Sequence, residues 1–511
     1  MSPLLFETAE WDFDTVRRAY DAIEEIAVGE LGLDVYPNRL EMISFEQMLD
    51  AYSSIGMPNF YQHWSFGKRF IRDEAIYRKG YANLAFEIVI NSNPCISYLM
   101  EENTMTMQAL VIAHAAFGHN HFFKNNYLFR EHTDASAILD YLAFARAYIA
   151  RCEELHGLSS VERILDAAHA LMDQSVDRFG RRPRPRLADE KARLELRRQY
   201  SEEKFDDLWR TLPPPVEPPP SEEPGVDPFG RPQPDLPEDN LLFFLEKHSP
   251  ILQPWQRELL RIVRNVAQYF LPQRLTKVMN EGCATFIHYK VMHRLHELGR
   301  ISDGSLLEFI GSHTAATFQP DFDDPRYGGI NPYALGFGMM ADIERLVTDP
   351  TDEDLAFAPD VAGGGDAIGA LKHVWANYRD DSFVEQFLSP QLIRKMRLFK
   401  LDDHEAESVY RVAAIHDERG YAEVRRGLAS HYDPAVLEPK VEVIRAGLAG
   451  DRRLVLAHHR NNGAPLAAPD ASGVLGYVAD LWGYDVELRC LAGDEAAETL
   501  VCERPVASAA A

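Results

Sequence analysis

The stretch EENTMTMQALVIAHAAFGHNHFF, Glu101–Phe123, decides how this chain reads. It is proline-free, apolar and long enough for several turns, so the pattern predicts a helix. Helical periodicity dominates outward from it. Trp11–Leu31 places Val16, Tyr20, Ile23, Ile26 and Ala27 on one amphipathic face, and Thr133–His156 reads as a helix ended by Gly157. Between them, Leu84–Ile90 (LAFEIVI) is β-branched and aromatic with a single charge, and Asn91-Ser92-Asn93-Pro94 supplies a turn. This predicts a strand or hairpin arm inside a helical domain.

Beyond it, 181–239 opens with Arg-Pro repeats and carries eleven prolines between Pro213 and Pro237. Such a tract favours polyproline II and cannot build a packed core, so it reads as a linker. Pro254–Phe270, Pro272–Leu298 and Gly304–Thr314 read as further helices, with turns near Gly328–Pro332. The last hundred residues change character: Val441–Ile444, Leu454–His458 and Val486–Leu491 read as strands, with a helix over Val474–Leu481. The expected fold is α+β and mainly helical. Two helical halves, 1–180 and 240–400, are joined by the proline-rich linker and followed by a small α/β module over 401–511.

With 511 residues, 46% hydrophobic and 26% charged, the composition is that of a multidomain globular protein. A net charge of −26 repels phosphate backbones, which argues against nucleic acid. No apolar run approaches the roughly 18–20 residues a membrane span needs. Glu7 and Glu10 stand where a signal peptide carries basic residues, so a cytoplasmic location is expected. Five scattered cysteines without a CxxC pair read as reduced thiols.

The densest chemical signal is three imidazoles in eight residues, His114, His119 and His121. Neutral imidazole is the commonest ligand for borderline divalent metals. On an ideal α-helix His114 and His121 lie within about 20° of each other, whereas His119 points roughly 140° from His114. All three reach one ion only if the helix breaks, and Gly118 is the residue that would allow it. A second signal is Met279-Asn280-Glu281-Gly282-Cys283-Ala284-Thr285-Phe286-Ile287-His288, where Glu281 and His288 repeat the two-turn spacing in an apolar segment. A carboxylate buried there needs a metal or an imidazolium beside it. The Asn-Glu-Gly-x-Ala string is similar to the third-ligand helix of gluzincin metallopeptidases, whose first helix carries HExxH. Here the histidines are spaced His-x4-His and no glutamate follows His114. Glu102, about three turns upstream, is the available general base. The expected ligands of a zinc, iron or manganese ion are His114, His119, His121, Glu281 and His288; the alternative is that these histidines are satisfied by core hydrogen bonds. Nucleotide-binding and nucleophile-elbow motifs are absent.

Several long strings carry a resemblance. They include Leu31-Gly32-Leu33-Asp34-Val35-Tyr36-Pro37-Asn38, His63-Trp64-Ser65-Phe66-Gly67-Lys68, Gly118-His119-Asn120-His121-Phe122-Phe123-Lys124-Asn125-Asn126 and Asn331-Pro332-Tyr333-Ala334-Leu335-Gly336-Phe337. Through them the chain resembles the SpoVR family (stage V sporulation protein R) from about Trp11 to Val486. The resemblance implies a cytoplasmic protein linked to spore cortex formation or to a stationary-phase stress response. It also implies partnership with a PrkA-type serine kinase and a von Willebrand A-type protein. The competing reading is a non-enzymatic scaffold for that kinase system.

Overall fold

Thr104 starts the histidine helix: its hydroxyl accepts the Met107 N–H at 3.2 Å, satisfying one donor of the first turn. In the computed structural model, which describes residues 3–53, 61, 63–64, 87–178, 236–402, 404, 407–409, 411–415, 417–448, 450–460, 463–492 and 495–503, the helix runs through three segments. Met105–Val111 is α-helical, Ile112–His119 is a π-helix, and Asn120–Asn125 is α-helical again. Asn126 then caps a short helix, Tyr127–His132, by accepting the Leu128 N–H. Every residue from Met105 to Phe123 except Met107 is buried. Phe117, Phe122 and Phe129 anchor it in the core, each such side chain contributing about 1.5–3 kcal/mol.

The chain folds as two compact units, each assembled from two stretches of sequence. The first comprises Met1–Asp166 and Asn265–Pro439. Its centre is the Lys277–Glu297 helix, which packs against both the π-segment and the Pro332–Thr348 helix. Two close approaches set these crossings. A Cβ on Gly118 would stand 2.6 Å from Ala284 Cα, and one on Gly282 would stand 2.6 Å from the Gly336 backbone, so only glycine fits at either point. A three-stranded sheet lies alongside in the order β1 (Asn38–Ile43), β3 (Cys95–Met100), β2 (Glu87–Ile90). β1 runs parallel and β2 antiparallel to β3. Both β2 and β3 pack on the π-segment, which is why a residue of β2 meets the histidines. A short antiparallel pair, β4 (Lys400–Asp402) and β5 (Arg411–Ala414), packs on the Glu418–Ser430 helix.

The second unit comprises Ala167–Arg264 and Lys440–Ala511. Its sheet orders β6 (Lys440–Ala446), β7 (Leu454–His459), β8 (Val486–Ala492) and β9 (Glu495–Cys502) in sequence. β7 and β8 are parallel, joined through the Ala468–Trp482 helix, and the outer pairs are antiparallel. Glu246 is buried on the Leu241–His248 helix, where Arg261 and Arg264 pair with it at 3.0 and 3.1 Å.

The mainly helical α+β architecture matches the sequence reading. So do the hairpin around Asn91–Pro94 and the β-α-β order near the C-terminus; β1, β4, β5 and β9 are additions. Pro272, read as a helix start, lies inside the Pro254–Leu275 helix, and the break falls at Thr276. The units also interleave in sequence: residues 240–264 belong to the second unit, and residues 401–439 belong to the first. Most of the proline-rich linker and the Ser65–Lys68 part of the family string lie outside the described residues. Among the described residues, no helix is long and apolar enough to cross a membrane. All five cysteines are free thiols, four of them buried.

Candidate metal centre

Within the π-segment the Asn120 N–H reaches the Ala115 carbonyl, five residues back. Residues five apart therefore stack on one face, where an α-helix would stack residues three or four apart. His114 and His119 share that face, with ring centroids 4.6 Å apart and planes nearly perpendicular. His-x4-His on a π-turn thus does what His-x3-His does on an α-helix. The α-helical wheel, which paired His114 with His121, is corrected here: His121 turns away. Its Nδ1 lies 3.1 Å from the Asp34 N and 3.0 Å from the Asp34 carbonyl, and its ring packs on Trp375.

Two carboxylates meet the imidazole pair. Glu87 Oε1, from β2, lies 3.1 Å from His114 Nε2 and 4.0 Å from His119 Nε2. Glu281 Oε2, from the Lys277–Glu297 helix, lies 3.8 and 3.7 Å from the same two nitrogens. Donors held at about 2.1 Å by one tetrahedral ion stand about 3.4 Å apart, and these separations bracket that value. Donor atoms of Glu87, His114 and His119 all fall within 4.8 Å of one another, as a shared ion requires. Glu281 Oε2 is buried and has no hydrogen-bond partner. Such an orphaned oxygen, aimed between two imidazoles, fits a cation that completes it.

The surrounding groups fix this arrangement. His119 Nδ1 donates to Asn280 Oδ1 at 3.0 Å, leaving Nε2 free for the centre. His114 Nδ1 lies 2.9 Å from His288 Nδ1, and His288 Nε2 lies 3.0 Å from His313 Nδ1. His288 is therefore behind His114 and does not face the carboxylates. Asp380 accepts the Val278 and Met279 N–H groups at 2.8 and 2.9 Å, pinning the first turn of the glutamate helix.

The electrostatics are those of a buried charge cluster. Burial pushes Glu87 up to about 7, opposed by His114 and reinforced by the second carboxylate, Glu281. Burial also pulls His119 down to about 4, aided by the neighbouring His114. For His114, burial disfavours the charged ring, but Glu87 and Glu281 outweigh it and its pKa is raised. Burial likewise raises Glu281, yet the contact with His114, the His119 charge and a hydrogen bond from Tyr333 hold it below the ordinary carboxylate value.

The structure therefore brings together His114, His119 and Glu281, sets His288 one shell behind, and leaves His121 and Glu102 elsewhere. Glu102 is exposed ahead of the helix, its carboxylate accepting the Phe45 N–H at 3.2 Å. Glu87 and His313 are the residues that sequence reasoning missed. The single charge within Leu84–Ile90 was the available signal for Glu87, since a lone carboxylate in a buried strand demands a partner. Nothing in the Gly311–Thr314 string marks His313.

A sequence model described as SpoVR like protein matches residues 10–436, and one described as SpoVR-like C-terminal domain matches residues 439–493. The centre lies within the first. The uncharacterized protein YcgB of Escherichia coli (strain K12) is 49% identical over 485 residues, covering 95% of this chain and 93% of its own. No solved structure matches.

Proposed function

This chain belongs to the SpoVR family, and we propose that it is a divalent-metal-dependent hydrolase whose ion is held by His114, His119 and Glu281. One observation carries the reading: Glu281 Oε2 is buried and unpartnered, nearly equidistant from the Nε2 atoms of the imidazole pair. A set of two imidazoles and a carboxylate suits zinc, iron or manganese. When bound, such an ion supplies Lewis acidity to a carbonyl or phosphoryl oxygen and to a water. Glu87 then takes the role first given to Glu102. Its carboxylate borders the same nitrogens, which sets a proton acceptor beside the ion's site. Asn280 and His288 orient the two imidazoles, and Tyr333 steadies the Glu281 carboxylate. The substrates belong to spore cortex remodelling or to a stationary-phase stress response. That assignment rests on the family resemblance alone, as do the cytoplasmic location and the PrkA-type kinase and von Willebrand A-type partners.

The test is turnover of peptide, amide, ester and phosphoester substrates by protein reconstituted with zinc, manganese or ferrous iron, beside Glu87→Gln. The expected result is metal-dependent hydrolysis in the wild type, lowered about 10²–10⁴-fold in Glu87→Gln, a substitution that keeps an oxygen donor beside the imidazoles and so retains the ion. Turnover unaffected by Glu87→Gln, or the same with and without metal, contradicts the proposal.

A further inference from the structure

The hydrogen bonds behind His114 carry a direction. His114 presents Nε2 to Glu87 and Glu281, so to bind an ion there it must carry its ring proton on Nδ1. Nδ1 meets His288 Nδ1 at 2.9 Å, a contact that holds one proton. His288 therefore accepts at Nδ1 and carries its own proton on Nε2. That atom meets His313 Nδ1 at 3.0 Å, so His313 also accepts at Nδ1 and carries its proton on Nε2. Ligation at one end thus dictates the tautomer of three rings on three separate helical segments. Reversing either bond while keeping both made places a proton on His114 Nε2, where an ion cannot displace it without breaking the chain.

We infer that His288 and His313 are positioning residues that lock His114 in its ligand tautomer and thereby set metal affinity, an inference resting on the metal centre proposed above. The packing supports a fixed chain. His313 is 7% exposed and boxed by Tyr289, Phe309 and Phe337, with centroids 5.1, 5.8 and 4.6 Å away. His288 is 3% exposed and also edges onto Phe309. Neither ring can turn to water to satisfy an unpaired nitrogen. If the acceptor at His313 is lost, His288 shifts its proton to Nδ1 and donates inward. His114 is then driven toward the Nε2–H tautomer that excludes the ion, against the pull of the Ala284 carbonyl, which accepts from its ring. His313 touches none of the proposed ligands except through His288, so a metal effect at His313 is diagnostic of the chain.

The experiment measures Co(II) affinity, by chelator competition and visible absorption, for wild type, His288→Leu, His313→Phe, His313→Leu and His313→Asn. Phenylalanine suits the aromatic box and leucine is the second apolar replacement, so either folded variant decides. Asparagine keeps an acceptor for the His288 N–H. Expected are a loss of about 10–100-fold in His288→Leu, a loss of about 10-fold in the apolar His313 variants, and affinity within about threefold of wild type in His313→Asn. A wild type that takes up no Co(II) contradicts the metal centre itself. A wild type that binds Co(II), with folded apolar His313 variants binding it equally well, overturns the chain alone; so does His313→Asn losing as much as the apolar variants.

Discussion

At the scale of single residues, a buried carboxylate oxygen without a donor is a cost of several kcal/mol that a fold does not carry without return. Glu281 Oε2 is one such atom, and what sets it apart is the pair of imidazoles beside it. Glu281→Gln is expected to lower zinc affinity by more than about 100-fold, read by competition with a chromogenic chelator. His121→Asn should leave it unchanged, because His121 serves the Asp34 backbone. Glu281 was legible in the sequence, since its charge stands in an apolar helix. Glu87 was legible only as an anomaly, because no local pattern says which distant histidine a strand carboxylate will meet. Elsewhere in the first unit, Arg345 grips Asp354 at 2.6 and 2.9 Å while Thr351 also donates to it. The Arg345 hydrogen bonds hold the Asp354 carboxyl well below the usual carboxylate range. A lowered folded-state pKa means stability that is full above the unfolded value of about 3.9 and lost as pH falls through the folded one. Asp354→Ala should cost about 3 kcal/mol at pH 7 in urea unfolding, and the gap to wild type should narrow below pH 4.

At the scale of elements, the decisive feature is the π-segment Ile112–His119. Hydrophobic periodicity placed a helix over these residues correctly but could not reveal its winding, because a π-turn adds one residue without disturbing the pattern on either side. The α-helical assumption therefore set His119 facing away and His121 facing in, the reverse of what is observed. This gives a sharp prediction. Deleting Ala116 converts His-x4-His to His-x3-His, restores α-helical winding, and leaves everything after His119 in place. The deletion variant should fold and retain at least half the wild-type metal stoichiometry, whereas an added alanine after Ala116 should abolish it. Metal analysis of the two proteins, with circular dichroism to confirm folding, checks this. Close helix crossing is the second requirement. Gly118→Ala, whose Cβ would meet Ala284 Cα at 2.6 Å, should separate the histidine and glutamate helices and cost about 1–3 kcal/mol of stability together with metal affinity.

At the scale of the whole molecule, fold class was readable because long apolar helices and a β-α-β tail have clear periods. The division into units was not. Residues 240–264 and 265–439 are continuous in sequence, yet they belong to different units. Only tertiary packing distinguishes them. The centre draws all its residues from the first unit, so an ion that binds the folded state stabilises that unit by mass action, about 2.7 kcal/mol at a hundredfold excess over Kd. Calorimetry should show the unfolding of the first unit shifting upward with zinc and that of the second staying in place. The most direct test of the account is the metal content of untagged protein by inductively coupled plasma mass spectrometry, beside a folded His114→Ala, Glu281→Ala double variant. The account predicts close to one zinc, iron or manganese ion per wild-type chain and none in the variant. A wild type that carries no metal and takes none up on addition would contradict it.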